Sequence, residues 1–163
     1  MKKRKPVLWL LAGALLLAGC SQTEAQSTVT TANAETTARE VLEDLYSAGA
    51  QDSADFEDAL AQSSTNESAL DEYLTDKVGD KVSGEGMAAL LDNRVVTRVL
   101  NAWPSTEVTA QEIDLEPLGS TTDTACQYSY TVTAAPEGED AQEFTGQIGL
   151  ELVDGVWTVT ALS

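Results

Sequence analysis

The residue types that do chemistry are unevenly supplied in this 163-residue chain, and histidine is missing altogether. That removes a Ser-His-Asp triad, a Cys-His pair, His-ligated zinc and the usual proton shuttle near neutral pH. Carboxylates are plentiful, with 27 Asp and Glu residues against nine Lys and Arg. Asp44 and Tyr46, two apart, and Tyr128 and Tyr130, also two apart, form the one constellation with an enzymatic reading. A carboxylate raised in pKa by an apolar pocket would serve as base, and a tyrosine would hydrogen-bond an enolate oxygen. The bland reading makes the tyrosines core residues and Asp44 a solvated acid, and it is preferred. Trp103, next to Pro104, is a candidate anchor for a partner or glycan. Arg94 and Arg98, four apart, would share a helix face able to hold an anion, though pairing with Asp92 or Glu85 is preferred.

Two cysteines complete the set. Cys126 falls on an apolar phase of a strand pattern and is read as a small buried hydrophobe. Cys20 is different, because of what precedes it. A basic head, Met1-Lys2-Lys3-Arg4-Lys5, leads into an apolar run from Pro6 to Leu17 and then small residues. This is the layout of a secretory signal, and the run falls short of the roughly 20 apolar residues that span a bilayer. The tetrapeptide Leu17-Ala18-Gly19-Cys20 resembles the lipobox of bacterial lipoproteins. That resemblance implies diacylglyceryl transfer to the Cys20 sulfur and cleavage before it, so residues 1–19 would be removed. Two acyl chains give stable anchoring where one gives only reversible binding. With Cys20 acylated, Cys126 is the last thiol and packing alone must hold the fold.

Four of the nine basic residues lie within the first five positions, and no acid lies before Cys20. The remainder therefore carries five basic and 27 acidic residues, a formal charge of −22. Such a surface disfavours nucleic acid and anionic lipid headgroups. No calcium loop of the D-x-[DN]-x-[DN]-G kind is present. Asp76-Lys77-Val78-Gly79-Asp80 comes nearest and reads as a helix end, so no metal or other cofactor is expected.

The elements that would position these residues follow from periodicity. Residues 20–32 hold the candidate lipid site and a Ser/Thr/Gln-rich tether expected to be flexible. Residues 33–163 form one domain. A helix is expected from Asn33 or Ala34 to Ser47, with Ala38, Val41, Leu42 and Leu45 on one face. A short helix over 54–62 turns Phe56 and Leu60 inward. Ser64 and Glu67 have capping-box spacing and should open a helix through Lys77, buried by Leu70, Tyr73, Leu74 and Val78 and stopped by Gly79. From Met87 a helix reaches about Asn93, while residues 94–102 read equally as helix or strand. Alternating patterns then mark strands near 112–116, 126–134, 144–152 and 156–162. Asp154-Gly155 is a strong two-residue hairpin signal. Helices first and an antiparallel meander of about four strands after give an α+β class, with the helices on the apolar face of a curved sheet.

Two segments extend this to a family resemblance. Leu70-Asp71-Glu72-Tyr73-Leu74-Thr75-Asp76 resembles a segment common before the sheet in the nuclear transport factor 2-like (NTF2-like) superfamily. Asp154-Gly155-Val156-Trp157-Thr158-Val159-Thr160-Ala161-Leu162 resembles its closing hairpin. A cystatin-like sheet wrapped on one helix is the competitor. The resemblance implies a cone of helices on a curved sheet. It carries over no catalytic residue, because the family divides into enzymes and non-enzymes.

The resulting expectation is a non-enzymatic binding or interaction module at the cell membrane. It would face outside the cytoplasm, be held by lipid on Cys20, and engage another envelope protein or a small apolar ligand. A carboxylate-pocket enzyme, or an accessory subunit of a secretion or conjugation apparatus, is the alternative.

Overall fold

The computed structural model describes residues 22–163; the basic head, the apolar run and Cys20, on which the signal and lipid readings rest, lie outside the described residues. Helix α1 (Gln22–Tyr46) is followed by α2 (Asp52–Gln62), α3 (Ala69–Val78), a short 3-10 turn (Gly79–Lys81), α4 (Gly84–Asp92) and α5 (Val96–Ala102). Strands β1 (Thr109–Pro117), β2 (Ala125–Ala135), β3 (Gln142–Val153) and β4 (Val156–Leu162) then form a single antiparallel meander in chain order. This is the expected α+β arrangement.

Period decides what each element buries. On α1, Ala34, Ala38, Val41, Leu42, Leu45 and Tyr46 form a fully buried stripe at helical spacing, which crosses the sheet. On β2, Cys126, Tyr128, Tyr130, Val132 and Ala134 face that stripe, and Gln127, Ser129, Thr131 and Thr133 face outward. Their cross-strand partners Leu150, Ile148 and Phe144 continue the apolar layer on β3, and Trp157, Val159 and Leu162 close it on β4. Irregular register at Ala110/Glu112 and at Gly149/Leu150 places bulges in β1 and along the β3–β4 pair, which bend those strands. Between β3 and β4, Asp154 and Gly155 have φ of 51° and 85°. Two consecutive left-handed residues make the primed turn that matches strand twist.

The sheet edges are tied to helices. Beside β4, the Ser83 N–H donates to Val159 O and the Asn93 side chain donates to Leu162 O at 2.7 Å. Beside β1, Arg39 on α1 donates to Ile113 O, and Ser47 Oγ accepts from the Ala110 N–H. Lys77, only 9% exposed, reaches from α3 to Asp52 at 2.8 Å and to the Ser47 carbonyl at 3.0 Å. It thus places a cation at the carbonyl end of α1, where the helix dipole favours it.

Two local expectations are corrected, and one reading left open is decided. Helix α1 starts at Gln22, so the segment read as tether is helical. Once the buried stripe from Ala34 nucleates a helix, adding each further turn costs little. The Ser64–Glu67 capping box does not form. Ser64 Oγ instead donates back to Ala61 O behind α2, and α3 starts later, at Ala69. Finally, residues 96–102 are helical, because their buried positions Val96, Val99 and Leu100 follow a three-to-four repeat that a strand would split between two faces.

Candidate functional site

Two places hold the candidate residues. The first is a polar knot inside the core. Tyr46 ends the α1 stripe, and Tyr130 rises from the middle of β2. Their hydroxyls are 2.9 Å apart. Arg98 on α5 enters from the side, with a guanidinium nitrogen 3.4 Å from each hydroxyl and 3.0 Å from Thr145 O. The Tyr130 hydroxyl donates to Ser163 O at 3.0 Å. Phe144 packs on Tyr46 with ring centroids 5.1 Å apart, and Trp103 meets Phe144 edge-on at 6.1 Å. Tyr46, Tyr130 and Trp103 are therefore brought together, joined by a phenylalanine that sequence reasoning had read only as a strand residue.

The chemistry open to this knot is limited. Burial and the neighbouring Tyr46 push the Tyr130 phenol far above its ordinary value, and Arg98 only partly offsets this. Tyr130 stays protonated at neutral pH and can donate a hydrogen bond but not serve as base. Its hydroxyl is already engaged, so the arrangement works as a clamp between α1, α5 and the sheet.

Asp44 lies elsewhere. Two residues before Tyr46, it projects from another side of α1, half-exposed and 3.8 Å from Lys81, which also pairs with Glu40 at 3.1 Å. Tyr128 is buried beside the Cys126 thiol, and its hydroxyl has no hydrogen-bond partner of good geometry among the described residues. Burial, then the influence of Cys126 and Glu35, raises its pKa well above the usual phenol range. Burial likewise raises the Cys126 thiol, outweighing the lowering influence of Tyr128 beside it. Cys126 also borders a shallow hollow of about 390 Å³ with Leu118, Ser120 and Gly149.

The second place is an apolar groove of about 340 Å³ between α2, α3, α4 and α5. Phe56 and Leu60 come from α2, Leu70 from α3, Leu90 and Leu91 from α4, and Val96 and Thr97 from α5. Leu60 is 52% exposed, a large apolar side chain left open to water. Leu90 and Val96 belong to the buried core, and Phe56, Leu70 and Leu91 are partly covered; the expectation that Leu60 turns inward is corrected, because it lies at the outer edge of α2 with no element over it.

Arg94 borders the groove between α4 and α5. Its own N–H donates to Leu91 O and the Val95 N–H donates to Leu90 O, the paired bonds of a Schellman helix end. Buried Leu90 and Val95 supply the accompanying apolar contact. The motif puts Arg94 at φ 54°, a left-handed position that glycine fills without penalty and that costs another residue about 1 kcal/mol. The expected pairing of Arg94 and Arg98 with Asp92 or Glu85 is absent. Arg98 is drawn into the knot, and Arg94 has no side-chain partner among the described residues.

Among the described residues, no group of three or more Cys, Asp or Glu is placed to hold a metal ion, and no helix is long and apolar enough to cross a membrane. No family model and no curated protein matches the chain. Among solved structures, a periplasmic fragment of TraM is similar, with 13% identity over 87% of this chain and 96% of that one, at a TM-score of 0.44. A likeness this slight bears on neither mechanism nor partner.

Proposed function

We propose that the protein is a lipid-anchored module, held by Cys20 on the outer side of the cytoplasmic membrane, whose domain binds rather than transforms its ligand. The basic head, apolar run and Leu17-Ala18-Gly19-Cys20 support the anchor. Helices preceding a four-stranded meander closed by the Asp154-Gly155 hairpin support kinship with the NTF2-like superfamily. One observation carries the binding role. The groove between α2, α3, α4 and α5 leaves Leu60 open to solvent with Phe56, Leu70 and Leu91 only partly covered beside it, whereas the tyrosine knot is closed on itself. An envelope protein's apolar side chain or a small apolar ligand is the class of occupant.

The test uses the full anchored protein in cells. A photo-crosslinking amino acid replaces Thr97 at the groove or Thr131 on the outward sheet face. The expected result is a discrete adduct, protein or small molecule, from position 97 and none from position 131. Equal labelling from both positions, or none from 97, would contradict the reading.

A further inference from the structure

We propose that the groove takes a single-chain amphiphile with one anionic head group, and that Arg94 is the residue that reads the head. This rests on the binding role assigned to the groove above and adds the chemistry of the ligand. Residues 22–163 contain five cations. Arg39 pairs with Glu35, Lys77 with Asp52, and Lys81 with Glu40 and Asp44. Arg98 is held by two tyrosine hydroxyls and a carbonyl. Arg94 is left over, the one cation without a side-chain partner among the described residues. It stands at the border of the apolar groove, exposed.

An apolar slot with a guanidinium at its mouth complements an acyl chain ending in a carboxylate or phosphate. The volume of about 340 Å³ lies at the small end of ligand pockets, which suits one chain and not a folded partner. Charge narrows the class further. The chain as a whole is strongly acidic, and exposed Asp71 and Asp92 follow Leu70 and Leu91 directly. That field opposes a polyanion or an acidic protein face, and it leaves room for one compact anionic head, a carboxylate or a phosphate monoester. A second copy of this chain, with the same acidic surface, is opposed in the same way.

The experiment titrates the isotope-labelled protein with decanoate, decyl phosphate, decanol and decyltrimethylammonium, each below its micelle threshold, and follows backbone amides by NMR. Arg94→Gly is the key variant, since glycine suits the left-handed position and the helix end should survive. The expected result is that decanoate or decyl phosphate shifts the amides of Leu60, Leu70, Leu91 and Thr97. The tighter of the two identifies the head group. Arg94→Gly should weaken that probe about tenfold and leave decanol unchanged. If decanol binds the groove as tightly as the anions, or Arg94→Gly changes nothing, the anionic head is wrong while the groove stands as a binding surface. If no probe moves any groove amide, or the anions act elsewhere, both fail.

Discussion

Tyr46 and Tyr130, 84 positions apart in the chain, meet hydroxyl to hydroxyl at 2.9 Å, with ring centroids 5.9 Å apart. The pair fastens the end of α1 to the middle of the sheet. With Arg98 and Ser163 O it makes a polar junction inside an otherwise apolar core. Satisfied polar groups of this kind add little net stability when intact and cost much when half-removed.

Replacing Tyr130 by Phe should therefore cost more than replacing Tyr46. Tyr130→Phe leaves the Tyr46 O–H without its acceptor, with only the 3.4 Å contact from Arg98 remaining, and removes a donor from Ser163 O, a loss of about 2 kcal/mol. Tyr46→Phe leaves Tyr130 its bonds to Ser163 O and Arg98 and should cost about 1 kcal/mol. Urea unfolding of the two variants and the double variant checks this. The double variant should lose less than the sum of the singles, because the bond they share is removed once.

Gly146 lies opposite Tyr130 in the β2–β3 register, and the ring passes over it. An added methyl would collide with Ser163 O and meet Tyr130 Oη at 2.5 Å and its Cζ at 2.6 Å. Gly146→Ala should destabilise the fold by about 2 kcal/mol or more, read by thermal or urea unfolding. Adding Tyr130→Phe should not restore it, since the ring carbon and the Ser163 carbonyl remain in the way.

Two lysines give a contrast in ion-pair energetics. Lys77 is nearly buried, and removing it strips Asp52 of its partner and the end of α1 of its cation. Lys77→Ala should cost about 3 kcal/mol. Lys81, 40% exposed against half-exposed carboxylates, should cost no more than about 0.5 kcal/mol when changed to Ala. Equal losses would contradict the placement of Lys77.

Tyr73 predicts a pH signature. Burial, with the Asp52 and Asp55 carboxylates, raises its phenol from 10.0 to about 12, and its hydroxyl has no partner among the described residues. The folded state therefore holds this proton more tightly than the unfolded state. The contribution is present in full below pH 10 and is lost as pH rises through 12. Comparing wild type with Tyr73→Phe by urea unfolding from pH 9 upward should show the wild type falling faster. At neutral pH the variant should be at least as stable, because no hydrogen bond is lost.

The sheet was legible because its cues are local. Cys126 to Ala134 alternate without a break, and Asp154-Gly155 states its own turn. The α1 stripe was equally plain. What escaped depends on contacts between distant segments or on signals that point two ways. Tyr46 and Tyr130 were grouped from the start, but nothing near either position in sequence announces that Arg98 and Ser163 O would close around them. Ser64 and Glu67 have the spacing of a cap, but Ser64 bonds backward to α2 instead. The left-handed helix end at Arg94 carries no glycine to flag it. The groove hid for a related reason. Phe56, Leu60, Leu70 and Leu91 come from three helices, and periodicity says that a residue is apolar without saying whether another element covers it.

The proposed lipid anchor on Cys20 is tested most directly by intact mass spectrometry of the protein extracted from membranes. The expected species begins at Cys20 and bears a diacylglyceryl group on its sulfur, and Cys20→Ser should abolish both the cleavage and the lipid. A chain that retains residues 1–19 with a free thiol at Cys20, recovered from the soluble fraction, would contradict it.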